Sequence, residues 1–317
     1  MAVRSAGARL SEWRRRCKGK RRRRIVAKNG RLAAIEAGGT KFVLAIGDYN
    51  GAVIARHVIP TVDPGATLSA AAEWFSNHGP FDALGIASFG PVELDPKHAN
   101  YGCITTTPKP GWQNCDLVGY FARRFNMPIG FDTDVNAAAL AEVHARDESV
   151  QPSLAYVTVG TGIGGGLVVD GKTVHGIAHP EMGHYFPRRS DHDDFGGVCP
   201  LHSDCLEGLA SGPAIEARWG ASLSNLPDDH QGKAIIADYL AQLGHTVFAV
   251  TAAEIVVLGG GVMQTPGLLE RIRLRATELA AGYLPGGERH RIEAPKLGSD
   301  SGIVGAFRLA YDALDAV

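Results

Sequence analysis

The chain has 317 residues, 45% of them hydrophobic and 21% charged, a globular composition whose length suggests about two domains. No uninterrupted apolar run approaches the ~20 residues of a membrane span, and five cysteines in so long a chain do not make a secreted disulfide framework. A reducing, cytoplasmic setting without membrane partners is therefore expected, and the net charge of −1 hides a strong asymmetry.

Residues 1–32 carry 13 of the 32 Lys and Arg against one acid, Glu12, which leaves 19 basic and 32 acidic side chains elsewhere. A like-charge block repels itself, so residues 1–31 read as a disordered basic tail. No apolar stretch follows the charges, so the tail is not a secretory signal. It suits either non-specific attraction to nucleic acid or anionic surfaces, or an upstream extension or misplaced start ahead of a domain that begins near Arg31; composition favours the latter, and no specific nucleic acid is expected.

Regular patterning begins at Leu32. Short apolar runs at Leu32–Glu36, Phe42–Gly47 and Ala52–Ile59 predict adjacent strands with tight turns. A helix over about 67–77, a strand over 83–88, and a helix marked by Leu117, Phe121 and Phe125 come next. A strand over 128–132 and an Ala-rich helix over 135–144 complete the first half. The order then begins again with runs at 154–159 and 165–169 around a glycine turn, a helix carrying Ile236, Leu240, Leu243 and Val247, a strand at 255–258, and a helix through Leu269, Ile272 and Leu279. A last helix over about 303–314 is expected to return to the first half. Two similar α/β halves predict a duplicated architecture with a ligand cleft between them, split as 32–145 plus 300–317 and 146–299.

Three glycine turns stand at equivalent strand ends. The first is Gly38-Gly39-Thr40-Lys41, the second runs from Thr158 through Thr161 and Gly162 to Gly166, and the third is Gly259-Gly260-Gly261. Glycines let the backbone approach a ligand and aim N–H groups at an anion. The Walker spacing is absent, and the GxGxxG match at Gly160, Gly162 and Gly165 precedes a strand-like run, against a dinucleotide fingerprint. A nucleotide phosphate cradle is the leading reading. In Asp132-Thr133-Asp134-Val135-Asn136, Asp134 either takes the proton of an attacking hydroxyl or caps the helix beginning at Val135.

His184, Cys199, His202 and Cys205 form the strongest constellation, with the last three spaced three residues apart and His184 fifteen residues upstream. Four N/S donors suit a closed tetrahedral zinc site, which would order the polar stretch 186–198; His179 and His192 are alternative members. Glu181 and Glu207 flank the set and suit sugar hydroxyls, although a lone Glu is more often a solvated surface acid. The segment Tyr101–Trp112 reads as a turn-rich loop with an exposed aromatic suited to lining a cleft.

Together, Ile35–Lys41, Thr105–Trp112, Thr158–Gly166 and the run from His179 through Gly212 resemble bacterial fructokinases of the ROK family (repressors, open reading frames and kinases). The resemblance spans Leu32 to the C-terminus and excludes the basic tail. It implies an actin-like, ribonuclease-H-type fold of two domains closing over ATP and sugar, a homodimer, and phosphorylation of a hexose with magnesium–ATP. Carried over position by position, Asp134 matches the catalytic base, and Gly38, Gly39 and Thr40, with Lys41 beside them, match the first phosphate loop. Thr161 and Gly162 match the second, and Gly259, Gly260 and Gly261 the turn near the adenosine. Asn136, Glu181, His184 and Glu207 match sugar contacts; His184, Cys199, His202 and Cys205 match the structural zinc set. Glu36 stands where the wider family often has Asp, and Cys103 where related fructokinases tend to carry an aromatic. The loop Pro108–Trp112 and His202 favour fructose, with mannose as a second substrate, over a glucokinase, mannokinase or N-acetylmannosamine kinase. A sugar-sensing repressor of the same family would need a helix-turn-helix that residues 1–32 do not offer.

Overall fold

The structure is a computed structural model that describes residues 30–49, 51–146, 152–191 and 193–316, so the basic tail lies almost wholly outside the described residues. Among these residues the strands are β1 (Arg31–Ala37), β2 (Lys41–Asp48), β3 (Val53–Pro60), β4 (Ala83–Ser88), β5 (Ile129–Thr133), β6 (Leu154–Val159), β7 (Ile163–Val169), β8 (Lys172–Thr173), β9 (Ile255–Gly259) and β10 (Arg291–Glu293). The helices are α1 (Pro64–His78), α2 (Leu117–Phe125), α3 (Asp134–Ala145), α4 (Leu206–Ala210), α5 (Gly212–Trp219), α6 (Gln231–Thr251), α7 (Leu268–Ala280) and α8 (Ser301–Asp315). The chain divides into a first unit of residues 30–146, Thr173–His179 and 300–316, and a second of 152–172 and 180–299.

In the first unit the sheet order is β3-β2-β1-β4-β5, with β1 antiparallel to β2 and parallel to β4, and β4 parallel to β5. Every residue of β4 is buried, as a central parallel strand covered on both faces requires. Asp63 caps α1 by accepting from the Ala66 N–H (2.9 Å), and Asp116 caps α2 by accepting from the Gly119 N–H (2.7 Å). These helices bring Leu68, Phe75 and Phe121 into one apolar cluster with Ile35, Leu44 and Ile86 of the sheet. Trp112 belongs to this cluster too. Instead of the exposed, cleft-lining ring that its turn-rich surroundings predict, it is fully buried between Phe42 and Phe89, and its Nε1–H donates to the Val62 carbonyl (2.7 Å). That bond satisfies the one polar atom of a ring whose apolar area favours the core.

α8 packs on α3 and on β1, β4 and β5, as the sequence predicts for the last helix. Its approach is so close that a Cβ at Gly85 would overlap the Ala306 carbonyl, and one at Gly130 would overlap that of Leu309.

The second unit repeats the plan. Its order is β10-β9-β6-β7-β8, with β6 antiparallel to β7 and parallel to β9, and β9 parallel to β10. The predicted strand at 165–169 begins earlier, at Ile163, because Gly164–Gly166 pair with Tyr156–Thr158. α6 packs on α7 and α4, and its Ile236, Leu240, Leu243 and Val247 are buried. At 21 residues, with an 18-residue window of mean hydropathy 1.2, α6 reaches the length and composition of a membrane span, although Lys233, Asp238 and Gln242 interrupt it. Half of that window is buried inside the fold, as in the core helix of a globular unit.

Gly85→Ala should lower stability by about 1–3 kcal/mol or more in urea unfolding, because the clash is with backbone. Gly39→Ala, with nothing within 4 Å of the added Cβ, should stay within about 0.5 kcal/mol.

Candidate functional site

In the first unit the C-terminal ends of β1, β4 and β5 lie side by side, with Ala37 opposite Ser88 and Ser88 opposite Thr133. The first glycine turn leaves β1 at this edge. Gly38 N–H donates to the Lys41 carbonyl (3.0 Å), Thr61 Oγ1 donates to the Gly38 carbonyl (2.7 Å), and Gly39, Thr40 and Lys41 are exposed. Glu36, just ahead of the turn, has its carboxyl pushed up by burial, partly offset by Arg56 and Lys41. Arg56 also pairs with Asp300 at 2.9 Å.

At the end of β5 the capping question is resolved. Thr133 is the cap of α3, its Oγ1 accepting from the Asn136 N–H (3.1 Å). Asp134 is therefore not the cap but the first helical residue, half-buried, with Oδ1 accepting from the Val135 N–H (2.9 Å). A carboxylate there is favoured by the positive helix terminus.

Sequence reasoning missed Asp132 and His175. Asp132 is buried; its Oδ1 accepts from the Thr133 N–H (2.8 Å) and from Asn136 Nδ2 (2.7 Å), and its Oδ2 meets His175 Nε2 at 3.0 Å. The hydrogen bond to Asp132 raises the His175 pKa above its ordinary 6.5, against a smaller opposing effect of burial. Asn136 is completely buried, and its Oδ1 has no hydrogen-bond partner among the described residues. His179, an alternative metal ligand by sequence, accepts at Nε2 from the Val92 N–H (3.1 Å) in the first unit and is not among the clustered ligands; His192, the other alternative, lies outside the described residues.

In the second unit two glycine turns meet. Gly260 has φ +93° and leaves no room for a Cβ against the Val159 backbone, so the 259–261 turn abuts the strand end that opens the 160–162 turn. Gly160 N–H donates to the Gly162 carbonyl (2.9 Å), Gly212 N–H to the Gly160 carbonyl (2.7 Å), and Thr161 is exposed. Glu207 is half-buried and its Oε2 accepts from the Ile163 N–H (2.9 Å), so it braces the second turn.

His184, Cys199, His202 and Cys205 come together, their ligand atoms all within 4.8 Å of one another. His184 Nδ1 lies 3.3 Å from His202 Nδ1, 3.5 Å from Cys205 Sγ and 3.9 Å from Cys199 Sγ, and Cys199 Sγ lies 3.7 Å from His202 Nδ1. A tetrahedron with metal–sulfur bonds of ~2.3 Å and metal–nitrogen bonds of ~2.0 Å has edges of ~3.3–3.8 Å. The donor set fits such an ion. Burial pushes the Cys205 thiol up to about 11, so a bound cation would displace its proton. The other ring nitrogen of His184 lies 4.0 Å from Glu181 Oε2, beyond hydrogen-bond distance.

The stretch 186–198 is pinned by more than this cluster. Buried Asp193 accepts from Tyr239 Oη (2.5 Å) and pairs with Arg218 Nη1 (3.1 Å), while Arg189 Nη2 donates to the carbonyls of Asp193 (2.9 Å) and Phe195 (2.5 Å). Arg218 lies over the Phe195 ring at 4.4 Å.

The ROK family model matches residues 32–313. The fructokinase of Zymomonas mobilis subsp. mobilis is 46% identical over 88% of this chain and 96% of its own length. The fructokinase of Pediococcus pentosaceus is 43% identical over 89% of this chain and 98% of its own. Among solved structures, the ROK hexokinase from Thermus thermophilus superposes with a TM-score of 0.74 at 26% identity, over 90% of this chain and 100% of that one.

Thr133→Ala should cost about 1 kcal/mol in urea unfolding, the usual value of a lost cap.

Proposed function

This chain belongs to the ROK family, and we propose that it is an ATP-dependent fructokinase, transferring the γ-phosphoryl group of magnesium–ATP to the primary hydroxyl that gives fructose 6-phosphate. The observation that carries the reading is the identity to curated fructokinases along nearly the whole of both chains. Its fold is that of the ROK sugar kinases, an actin-like architecture.

Asp134 is the proposed base. Phosphoryl transfer asks the protein chiefly to position the reactants and to receive one proton from the attacking hydroxyl. Thr133 supports this role by doing the capping, so the carboxylate is not needed for it. The turn Gly38–Lys41, closed by the Gly38 N–H and presenting the amides beyond it, and the turn at Thr161 and Gly162 are the proposed phosphate cradle, with Gly259, Gly260 and Gly261 beside the adenosine. Exposed amides at tight turns offset charge developing on phosphoryl oxygens. Magnesium bound with ATP would neutralise part of that charge.

Glu181, Asn136, His184 and Glu207 are the positions that the resemblance assigns to the sugar. The geometry separates them: Glu181 is exposed, Glu207 braces a turn, and Asn136 is buried. The Cys₂His₂ donors and their near-tetrahedral separations support zinc, in a structural site that holds His184 and thereby Glu181. A homodimer is part of the same reading, and light scattering tests it.

A coupled ADP-release assay should show turnover with fructose above glucose, mannose and N-acetylmannosamine; no turnover with any hexose would overturn the kinase reading. Asp134→Asn should lower kcat by roughly 10²–10⁴ while the fold, read by circular dichroism, is kept. One zinc per chain is expected by elemental analysis, lost in Cys199→Ser, and chelation should lower the Tm.

A further inference from the structure

The segment Thr173–His179 groups with the first unit and lies along the C-terminal ends of its parallel strands. His179 takes the Val92 N–H just beyond β4, and His175 meets Asp132 at the end of β5. Open α/β sheets hold their ligands at this edge. The three polar groups gathered at β5 differ sharply in what they can still do. Asp132 is 2% exposed and both its oxygens are occupied by donors. Asn136 is shut in beneath it. His175 alone has surface, its side chain 36% exposed. Its Nε2 is committed to Asp132, while its Nδ1 makes no hydrogen bond among the described residues.

We propose that His175 is a hexose-binding residue, its ring fixed from behind by Asp132, which Asn136 holds in turn, and its Nδ1 offered to a sugar hydroxyl. The proposal rests on the hexose-kinase reading above and changes which group meets the sugar: Asn136, buried, is a positioning residue that acts through Asp132 and His175. Asp132 favours the charged imidazole, in which Nδ1 carries a proton and donates. A ring held by a buried carboxylate is preorganised, so a hydroxyl bound to it gains a charge-assisted contact without ordering a free side chain.

The test compares the wild-type chain with His175→Ala, His175→Gln and Asp132→Asn by steady-state kinetics, and by Tm. His175→Ala should raise the fructose KM roughly tenfold or more, with kcat within roughly threefold, and the KM for ATP and the Tm little changed. His175→Gln, which keeps a donor, should recover part of the loss. With mono-deoxy fructoses, in which each non-reacting hydroxyl is removed in turn, the penalty of His175→Ala should vanish for the one analogue lacking the contacted hydroxyl. Asp132→Asn should reproduce the KM effect, and if it does not fold the His175 variants decide alone. Unchanged hexose KM in both His175 variants, or an equal penalty with every analogue, overturns the role of His175 while leaving the kinase reading intact. A wild type that phosphorylates no hexose overturns both.

Discussion

The flush ends of the parallel strands are the constraint on which the chemistry of this protein depends. Parallel pairing carries Ala37, Ser88 and Thr133 into one row although they come from segments of the chain about 50 residues apart, and the residues that follow them, Gly38, Phe89 and Asp134, leave the sheet at one edge. Parallel strands need crossover connections, so distant stretches of sequence are delivered to one place by the hydrogen-bond ladder itself. The second sheet repeats the device, with Thr158 opposite Gly259 and a glycine turn after each. A backbone that ends there exposes its amides, and where the next element is a helix it adds the positive terminus on which Asp134 sits.

Two buried aspartates secure the irregular parts. Asp132 holds His175 of the 173–179 segment, and Asp193 holds the stretch 186–198 through Tyr239 and Arg218. A buried carboxylate persists only with its oxygens satisfied: Asp132 has donors on both, and Asp193 has Tyr239 and the Arg218 cation. In these segments, where no helix or strand supplies backbone pairing, a satisfied anion serves as the nucleus around which the loop is organised.

The strands and the long helices were legible because their apolar periodicity is strong: 83–88, 154–159 and 255–258 are read almost to the residue. The ligand cluster was legible because its residue types are rare and closely spaced. What sequence hid has physical reasons. Trp112 sits among prolines and glycines that mark a turn, and nothing local reveals that its ring fills a gap between Phe42 and Phe89. The helical start at Asp134 was placed one residue late because both Thr133 and Asp134 are good caps. His175 was passed over since its partner is 43 residues away, and the Arg218–Asp193 pair spans an equally uninformative gap. The strand through Gly164–Gly166 runs against β-propensity and is held by pairing with β6.

The tight seat of α8 on Gly85 and Gly130 has a consequence for synthesis on the ribosome. The first sheet is translated early, but the helix that covers one of its faces is made only after residue 300, beyond all of the second unit. The second unit, residues 152–172 and 180–299, holds its own sheet and can assemble while the nascent N-terminal half still lacks its lid. Until α8 emerges, β1, β4 and β5 present bare apolar surface to solvent, which makes this interval the one in which a chaperone has most to protect.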